Sequence, residues 1–312
     1  MRKFILAIVG IVLVLIGIVG LMLPIMPGWV FIFAGLSLIA PRLADRIKRR
    51  VLRKFFKKEM VVIEDWLKLP VRAGFTTRHF ELLLRQTDDL SSPANQKVFK
   101  ELLSGSQVAL THGMAGSSRF VYLDQVHEAN VAVLEDQEKF RNDGFYRLPR
   151  TDGVLTNVSG LTLMVMTADC LSIFIVALGK GSRQAEWVGL IHAGWRGTKE
   201  AIARKAYRLI LERSKNSHSD VHIVFGPAIR ADHYEVGPEF KERFDKKLIR
   251  ERGGKFYFDL AAENKRQLLE AGALEKNILD LDICTVCENS NFYSFRKEQD
   301  SAGRALSLIT KI

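Results

Sequence analysis

Two uncharged apolar runs, residues 161–166 and 187–191, constrain this chain more than any other feature, because each leads into residues that carry chemistry. Both are rich in β-branched or long apolar side chains and read as buried strands. The first leads into Ala168-Asp169-Cys170 and the second into His192-Ala193-Gly194-Trp195-Arg196-Gly197. A thiol and an imidazole at the ends of neighbouring strands converge on one point while the sheet holds them rigid. Such a pair makes a nucleophile with its base, or it supplies two ligands to a metal.

His127 extends the pair, since it ends a strand-like run over residues 120–126. The His127, Cys170, His192 set has gaps of 43 and 22 residues. A structural zinc finger uses short ligand pairs, so gaps this long mean ligands that meet only in the folded sheet. Three protein ligands leave the fourth tetrahedral position open, the arrangement of a catalytic zinc. A Cys–His hydrolase pair and plain core residues are the competing readings.

The other two cysteines form Cys284-Thr285-Val286-Cys287. A zinc nucleobase deaminase would place Pro before the first Cys, and Ile283 stands there. A redox pair normally opens a helix, whereas Cys284 closes a predicted strand over 278–283. The pair therefore reads as structural or site-lining. His112 and His233 lie in loop-like sequence and stay unassigned. With three cysteines in all, a disulfide framework is excluded and a reducing compartment is implied.

Four arginines belong together: Arg78, Arg196, Arg296 and Arg304. Arg196 stands just before a predicted helix over 199–213, capped by Thr198, where free N–H groups and the helix dipole favour anions. The planar guanidinium suits phosphate. A phosphorylated ligand and four unrelated surface arginines are both open at this point. Elsewhere the pattern predicts a helix near 95–103, a turn at Thr151-Asp152-Gly153, a strand over 221–225, and helices over about 238–250 and 260–272. Strands and helices mixed in this way argue one α/β layered domain.

The N-terminus differs from all of this. Residues 4–23 are uncharged and apolar, about 20 residues and enough to cross a ~30 Å hydrocarbon core. Pro24 and Pro27-Gly28-Trp29 break the run, and a second apolar stretch continues to Ala40. The run is too long for a signal-peptide h-region, and no small-x-small cleavage site follows. Residues 42–58 then repeat Leu43, Ile47, Val51 and Phe55 between Lys and Arg, a greasy stripe on a cationic helix suited to an anionic membrane surface. Basic residues on both flanks place both ends in the cytoplasm. The expected organisation is a transmembrane hairpin over 1–41, a basic amphipathic linker helix over 42–63, and a catalytic domain over 64–312 at the inner membrane, facing the cytoplasm. The first sixty residues carry eleven Lys or Arg against two acidic residues, so they hold nine of the chain's eleven net positive charges. The domain itself is nearly neutral, which excludes a broad nucleic-acid footprint.

Two resemblances sharpen these expectations. Leu23-Pro24 and Pro27-Gly28-Trp29 resemble small bacterial membrane proteins of the PGPGW type. Over about 64–312 the chain resembles the YfiH-type family, named polyphenol oxidoreductases (laccases) and later recognised as purine nucleoside phosphorylases. The matching motifs include Gly74-Phe75-Thr76-Thr77-Arg78, Gln125-Val126-His127, Thr151-Asp152-Gly153-Val154, Ala168-Asp169-Cys170, His192-Ala193-Gly194-Trp195-Arg196-Gly197 and Phe292-Tyr293-Ser294-Phe295-Arg296. The chain departs from the family at Glu128, where Gly is usual, and at Ser172, where Pro is usual.

The resemblance implies a layered α/β (α+β) sandwich with a mixed sheet and zinc on His127, Cys170 and His192. It implies phosphorolysis of adenosine, inosine and S-methyl-5′-thioadenosine to base and ribose 1-phosphate, with adenosine deaminase as a side activity. The arginines would then hold phosphate in line with C1′ of the ribose. Asp169 and Gln125 are expected to orient ligands or substrate. Copper-dependent phenol oxidation is disfavoured, because multicopper sites are rich in imidazole and the chain has seven His in total. A hydrolase that edits peptidoglycan precursors, and an inactive membrane scaffold that binds a nucleoside, are the remaining alternatives.

Overall fold

The computed structural model describes residues 60–63, 71–79, 96, 119–135 and 138–312. The expected hairpin over 1–41, the linker helix up to residue 59, and, Gln96 apart, the helix near 95–103 lie outside the described residues. Among those described, no helix is long and apolar enough to cross a membrane.

The strands in chain order are β1 (Met60–Val62), β2 (Val71–Thr76), β3 (Arg119–Leu123), β4 (Val131–Leu134), β5 (Gly144–Leu148), β6 (Gly153–Thr156), β7 (Leu161–Thr167) and β8 (Leu171–Leu178). They continue with β9 (Ala185–Ala193), β10 (Val221–Phe225), β11 (Glu235–Val236), β12 (Ile249–Arg252), β13 (Lys255–Phe258), β14 (Ile278–Asp280) and β15 (Ala305–Lys311). Among the described residues, Gln96 apart, the α-helices are α1 (Trp195–Lys199), α2 (Ile202–Ser214), α3 (Phe240–Arg243), α4 (Leu260–Glu270) and α5 (Phe295–Glu298). One six-stranded sheet runs β1-β2-β15-β7-β3-β5, a second runs β14-β10-β8-β9-β6-β4, and β11-β13-β12 form a small third sheet. Both large sheets are mixed. In the first, β3 is parallel to β5 and β7 while β7 is antiparallel to β15. In the second, β10 is parallel to β14 and antiparallel to β8.

The layers explain why the central strands are apolar without alternation. Ile173, Ile175, Ala177 and Ile191 pack with Ala203, Tyr207 and Ile210 of α2. The alternate residues Phe174, Val176, Val188 and Leu190 are equally buried, and β7 and β15 contact β9. The second sheet is thus covered by helix on one face and by the first sheet on the other, so its central strands have no face open to water. Each such buried aliphatic or aromatic side chain contributes about 1.5–3 kcal/mol.

Several local expectations change. Met60–Val62 already pairs with β2, so the sheet begins inside the stretch read as linker. The expected helix over 199–213 is two helices, because Ala201 takes a left-handed φ of 60° between α1 and α2. Thr198 caps neither; it is buried in α1, where its Oγ1 accepts from Asn264 Nδ2 at 3.0 Å. The expected helix over 238–250 ends at Arg243. Asp245 then caps a single 3-10 turn, and Ile249 enters β12. The β12–β13 turn is Gly253-Gly254 with φ of 59° and 71°, the two-glycine turn that matches strand twist.

Candidate metal centre and active site

β7 belongs to the first large sheet and β8 to the second, so residues 168–170 cross between the sheets. Cys170 therefore sits at the corner where their ends meet. His192 lies on β9, where it pairs with Ser172 of the neighbouring β8. His127 comes from beyond the end of β3, four residues after the strand ends at Leu123. The ligating atoms of His127, Cys170 and His192 all lie within 4.8 Å of one another. The two imidazole rings meet edge to face with centroids 4.7 Å apart.

One buried carboxylate organises this centre. Asp152 is fully buried, and its Oδ1 accepts from His192 Nδ1 at 2.8 Å. Its oxygens also accept the backbone N–H groups of Val126, His127 and Glu128 at 3.2, 2.9 and 2.9 Å. The Nδ1 contact leaves His192 Nε2 as the ligating nitrogen. The three amide bonds hold His127 in a left-handed φ of 62°, a conformation that few non-glycine residues adopt. Burial works against the Asp152 charge, but the His192 hydrogen bond, its charge and the loop amides outweigh burial, so the carboxyl lies below its ordinary range.

The same balance acts on the ligands themselves. Burial pushes the Cys170 thiol up; the charge of His192 and hydrogen bonds from both imidazoles overcome it and bring the thiol down to about 6. Burial likewise disfavours charge on His192, yet the Cys170 thiolate and Asp152 raise it to about 9. Without metal the pair is a thiolate beside an imidazolium, and the thiolate is the form that binds metal. Two imidazoles and one thiolate are a donor set for zinc, with one tetrahedral position left open. A Cβ on Gly194 would crowd them, sitting 3.1 Å from Cys170 Sγ and 3.2 Å from His127 Cδ2.

A pocket of about 280 Å³ opens over the three ligands. Its walls include Gln125, Asp169, Arg196, Arg296 and Arg304, with flat apolar surface from Trp195, Tyr234 and Phe295. Arg196 lies over the Trp195 ring at 4.8 Å, Arg296 over Tyr234 at 5.3 Å, and Arg304 over Phe295 at 5.9 Å. Each guanidinium is therefore carried on an aromatic face. The helix-dipole argument for Arg196 does not survive, because Arg196 is inside α1 and α1 has five residues. Charge at this rim comes from side chains.

The other expected residues fall into place differently. Gln125 exchanges two hydrogen bonds with the backbone of Met166, donating to its O at 2.8 Å and accepting from its N at 2.7 Å. It ties the loop that carries His127 to the end of β7, four residues before Cys170. Asp169, at a left-handed φ of 92°, accepts from Thr285 Oγ1 and from the Arg296 N–H, both at 2.6 Å. It thus fixes the segment that carries Arg296, while the carboxylate on the ligand ring is Asp152. Arg78 does not line the pocket. It pairs with Glu298 at 2.9 Å and lies over Tyr293 at 5.0 Å, bracing the same segment from behind. The sequence reading missed Asp152, Tyr234 and Phe295. An isolated acidic residue directly before a buried strand is the signal that marks Asp152.

Fold and site together define a mixed-sheet α/β protein with a His-Cys-His centre at the meeting edge of two stacked sheets. Residues 73–311 match the family described as multi-copper polyphenol oxidoreductase laccase, and the chain belongs to that family. Residues 3–54 match the putative transmembrane protein (PGPGW) family. A purine nucleoside phosphorylase of Aquifex aeolicus is 32% identical over 209 residues, 67% of this chain and 91% of that protein. The purine nucleoside phosphorylase YlmD of Bacillus subtilis is 26% identical over 276 residues, 80% of this chain and 93% of its own length. A protein named adenosine deaminase RL5 is 32% identical over 197 residues, 59% of this chain and 72% of that one. Among solved structures, YlmD of Geobacillus stearothermophilus aligns with a TM-score of 0.64 and 28% identity, covering 78% of this chain and 93% of that one.

Proposed function

We propose that this chain is a membrane-tethered, zinc-dependent purine nucleoside phosphorylase that splits adenosine, inosine or S-methyl-5′-thioadenosine with phosphate, and deaminates adenosine as a side activity. The observation that carries the reading is the pocket itself: a thiolate–imidazole centre on its floor, and three guanidiniums on aromatic faces around it. His127, Cys170 and His192 hold the zinc. Bound there, zinc supplies a Lewis acid that also lowers the pKa of water. Arg196, Arg296 and Arg304 collect the phosphate dianion and hold it against C1′ of the ribose, where charge and orientation count most. One phosphate oxygen forms the new bond to C1′ as the bond to the purine nitrogen breaks. Trp195, Tyr234 and Phe295 give the flat apolar surface that a purine needs. The relatives named purine nucleoside phosphorylase and adenosine deaminase support both activities.

The test uses the zinc-loaded full chain in detergent, incubated with adenosine with and without phosphate, while adenine, ribose 1-phosphate and inosine are followed. Phosphate-dependent adenine release, lost in His192→Ala, is the expected result. A zinc-loaded protein that releases no adenine would overturn the reading.

A further inference from the structure

A second cluster of soft ligands stands outside the centre described above. His233 follows β10, in a turn where the N–H groups of His233 and Tyr234 both donate to the Arg230 carbonyl. Cys284 lies beyond the end of β14, in a single bridge with Ala228, and the chain then turns so that the Glu288 N–H donates to the Cys284 carbonyl at 2.9 Å. The turn brings both thiols to one ring nitrogen: His233 Nδ1 is 3.6 Å from Cys284 Sγ and 3.7 Å from Cys287 Sγ. All three ligating atoms lie within 4.8 Å of one another.

We propose that His233, Cys284 and Cys287 form a second divalent-metal site of the zinc class, separate from the pocket centre. Tetrahedral geometry carries the assignment. With Zn–S near 2.3 Å and Zn–N near 2.05 Å, the N···S edges of the coordination tetrahedron are about 3.6 Å. Both observed N···S distances match that edge. Two thiolates and an imidazole select zinc over calcium or magnesium, which take oxygen ligands. The two-residue gap between the thiols is the short spacing of structural zinc sites. Cys287 is exposed, so the metal enters from solvent and the fourth position faces water.

The site clips together two segments that both reach the pocket. Tyr234, next to His233, forms its wall beneath Arg296. Thr285, next to Cys284, donates to Asp169. The metal therefore acts as a positioning element for Tyr234 and Asp169 and touches no substrate itself.

Metal content of the reduced full chain decides the matter. Zinc-saturated wild type is expected to hold two zinc ions per chain, Cys287→Ser one, His192→Ala one, and the double variant none. Cobalt loaded into His192→Ala gives the thiolate-to-metal charge-transfer band of the second site, and that band disappears when Cys287→Ser is added. One zinc in wild type, unchanged by Cys287→Ser, overturns the proposal, as does a Cys284–Cys287 disulfide in the protein as isolated. Since His192→Ala reports the pocket centre and Cys287→Ser the second site, loss of one assignment leaves the other readable.

Discussion

Cys170 is the residue on which the centre's chemistry turns, because burial and its partners oppose each other there. The partners win, so in metal-free protein the thiolate is present above about pH 6 and is protonated below it. Alkylation of Cys170 by iodoacetamide, followed on its own peptide, is expected to show a rate midpoint near 6, well below a free thiol at about 8.5. His192→Ala removes the main opposing charge and moves that midpoint upward. A midpoint near 8.5 in wild type would remove the thiolate–imidazolium pair. Asp152 acts one step further from the metal. Asp152→Asn keeps a side chain of the same shape but puts the wrong group against His192 Nδ1 and the loop amides. Zinc affinity should fall by about 10–100-fold, the usual effect of losing a ligand-orienting carboxylate. Competition with a chromophoric chelator measures it, and unchanged affinity would show that β9 alone fixes the His192 ring. From sequence this residue read as a turn. Its partners at positions 126–128 and 192 are distant in the chain, and only folding puts them around one carboxylate.

At the level of elements, short helix α1 sets where Trp195 and Arg196 stand, although five residues cannot sustain a helix alone. Long helix α4 supplies the support: Asn264 Nδ2 donates to Thr198 Oγ1 at 3.0 Å, and Gln267 Nε2 donates to the Thr198 carbonyl at 2.8 Å. Asn264→Ala should destabilise the protein by about 1–3 kcal/mol, since it strands buried polar groups. Under the proposed activity it should raise KM for phosphate more than it changes zinc content, because Arg196 loses its fixed base while β8 and β9 keep theirs. A thermal melt with phosphate-dependent kinetics checks both; zinc loss equal to the KM effect would place α1's role at the metal. The elements that were legible are those whose patterns are simple. Strands β7, β8 and β9 carry long apolar stretches because nearly every side chain along them is buried. The stretch 238–250 misled because Phe240, Phe244 and Leu248 fall four apart, a helical spacing. In the fold Phe240 and Phe244 instead crowd Phe258, with ring centroids 5.4 and 4.3 Å from it. Packing across β13 overrides the local period.

For the whole molecule, the uneven charge poses a question that the pocket does not answer. A nearly neutral catalytic domain gains little by electrostatic attraction to anionic lipid, while the first sixty residues hold nine of eleven net charges and two apolar runs. Their match to a putative transmembrane family points the same way. Two attachment modes differ in what dissolves them. A basic amphipathic helix alone is held largely by charge, worth about 1 kcal/mol per Lys or Arg near the surface, and salt screens it. A spanning hairpin is held by burial of apolar surface, which salt does not weaken. The full chain is therefore expected in the membrane fraction, retained through high-salt and alkaline carbonate washes and released by detergent. Release by salt alone would reduce the attachment to the basic helix and discard the hairpin. Retention would mean that the pocket, under the proposed activity on soluble nucleoside and phosphate, works at the membrane because the N-terminus is anchored there, with no lipid-binding face needed on the sheets.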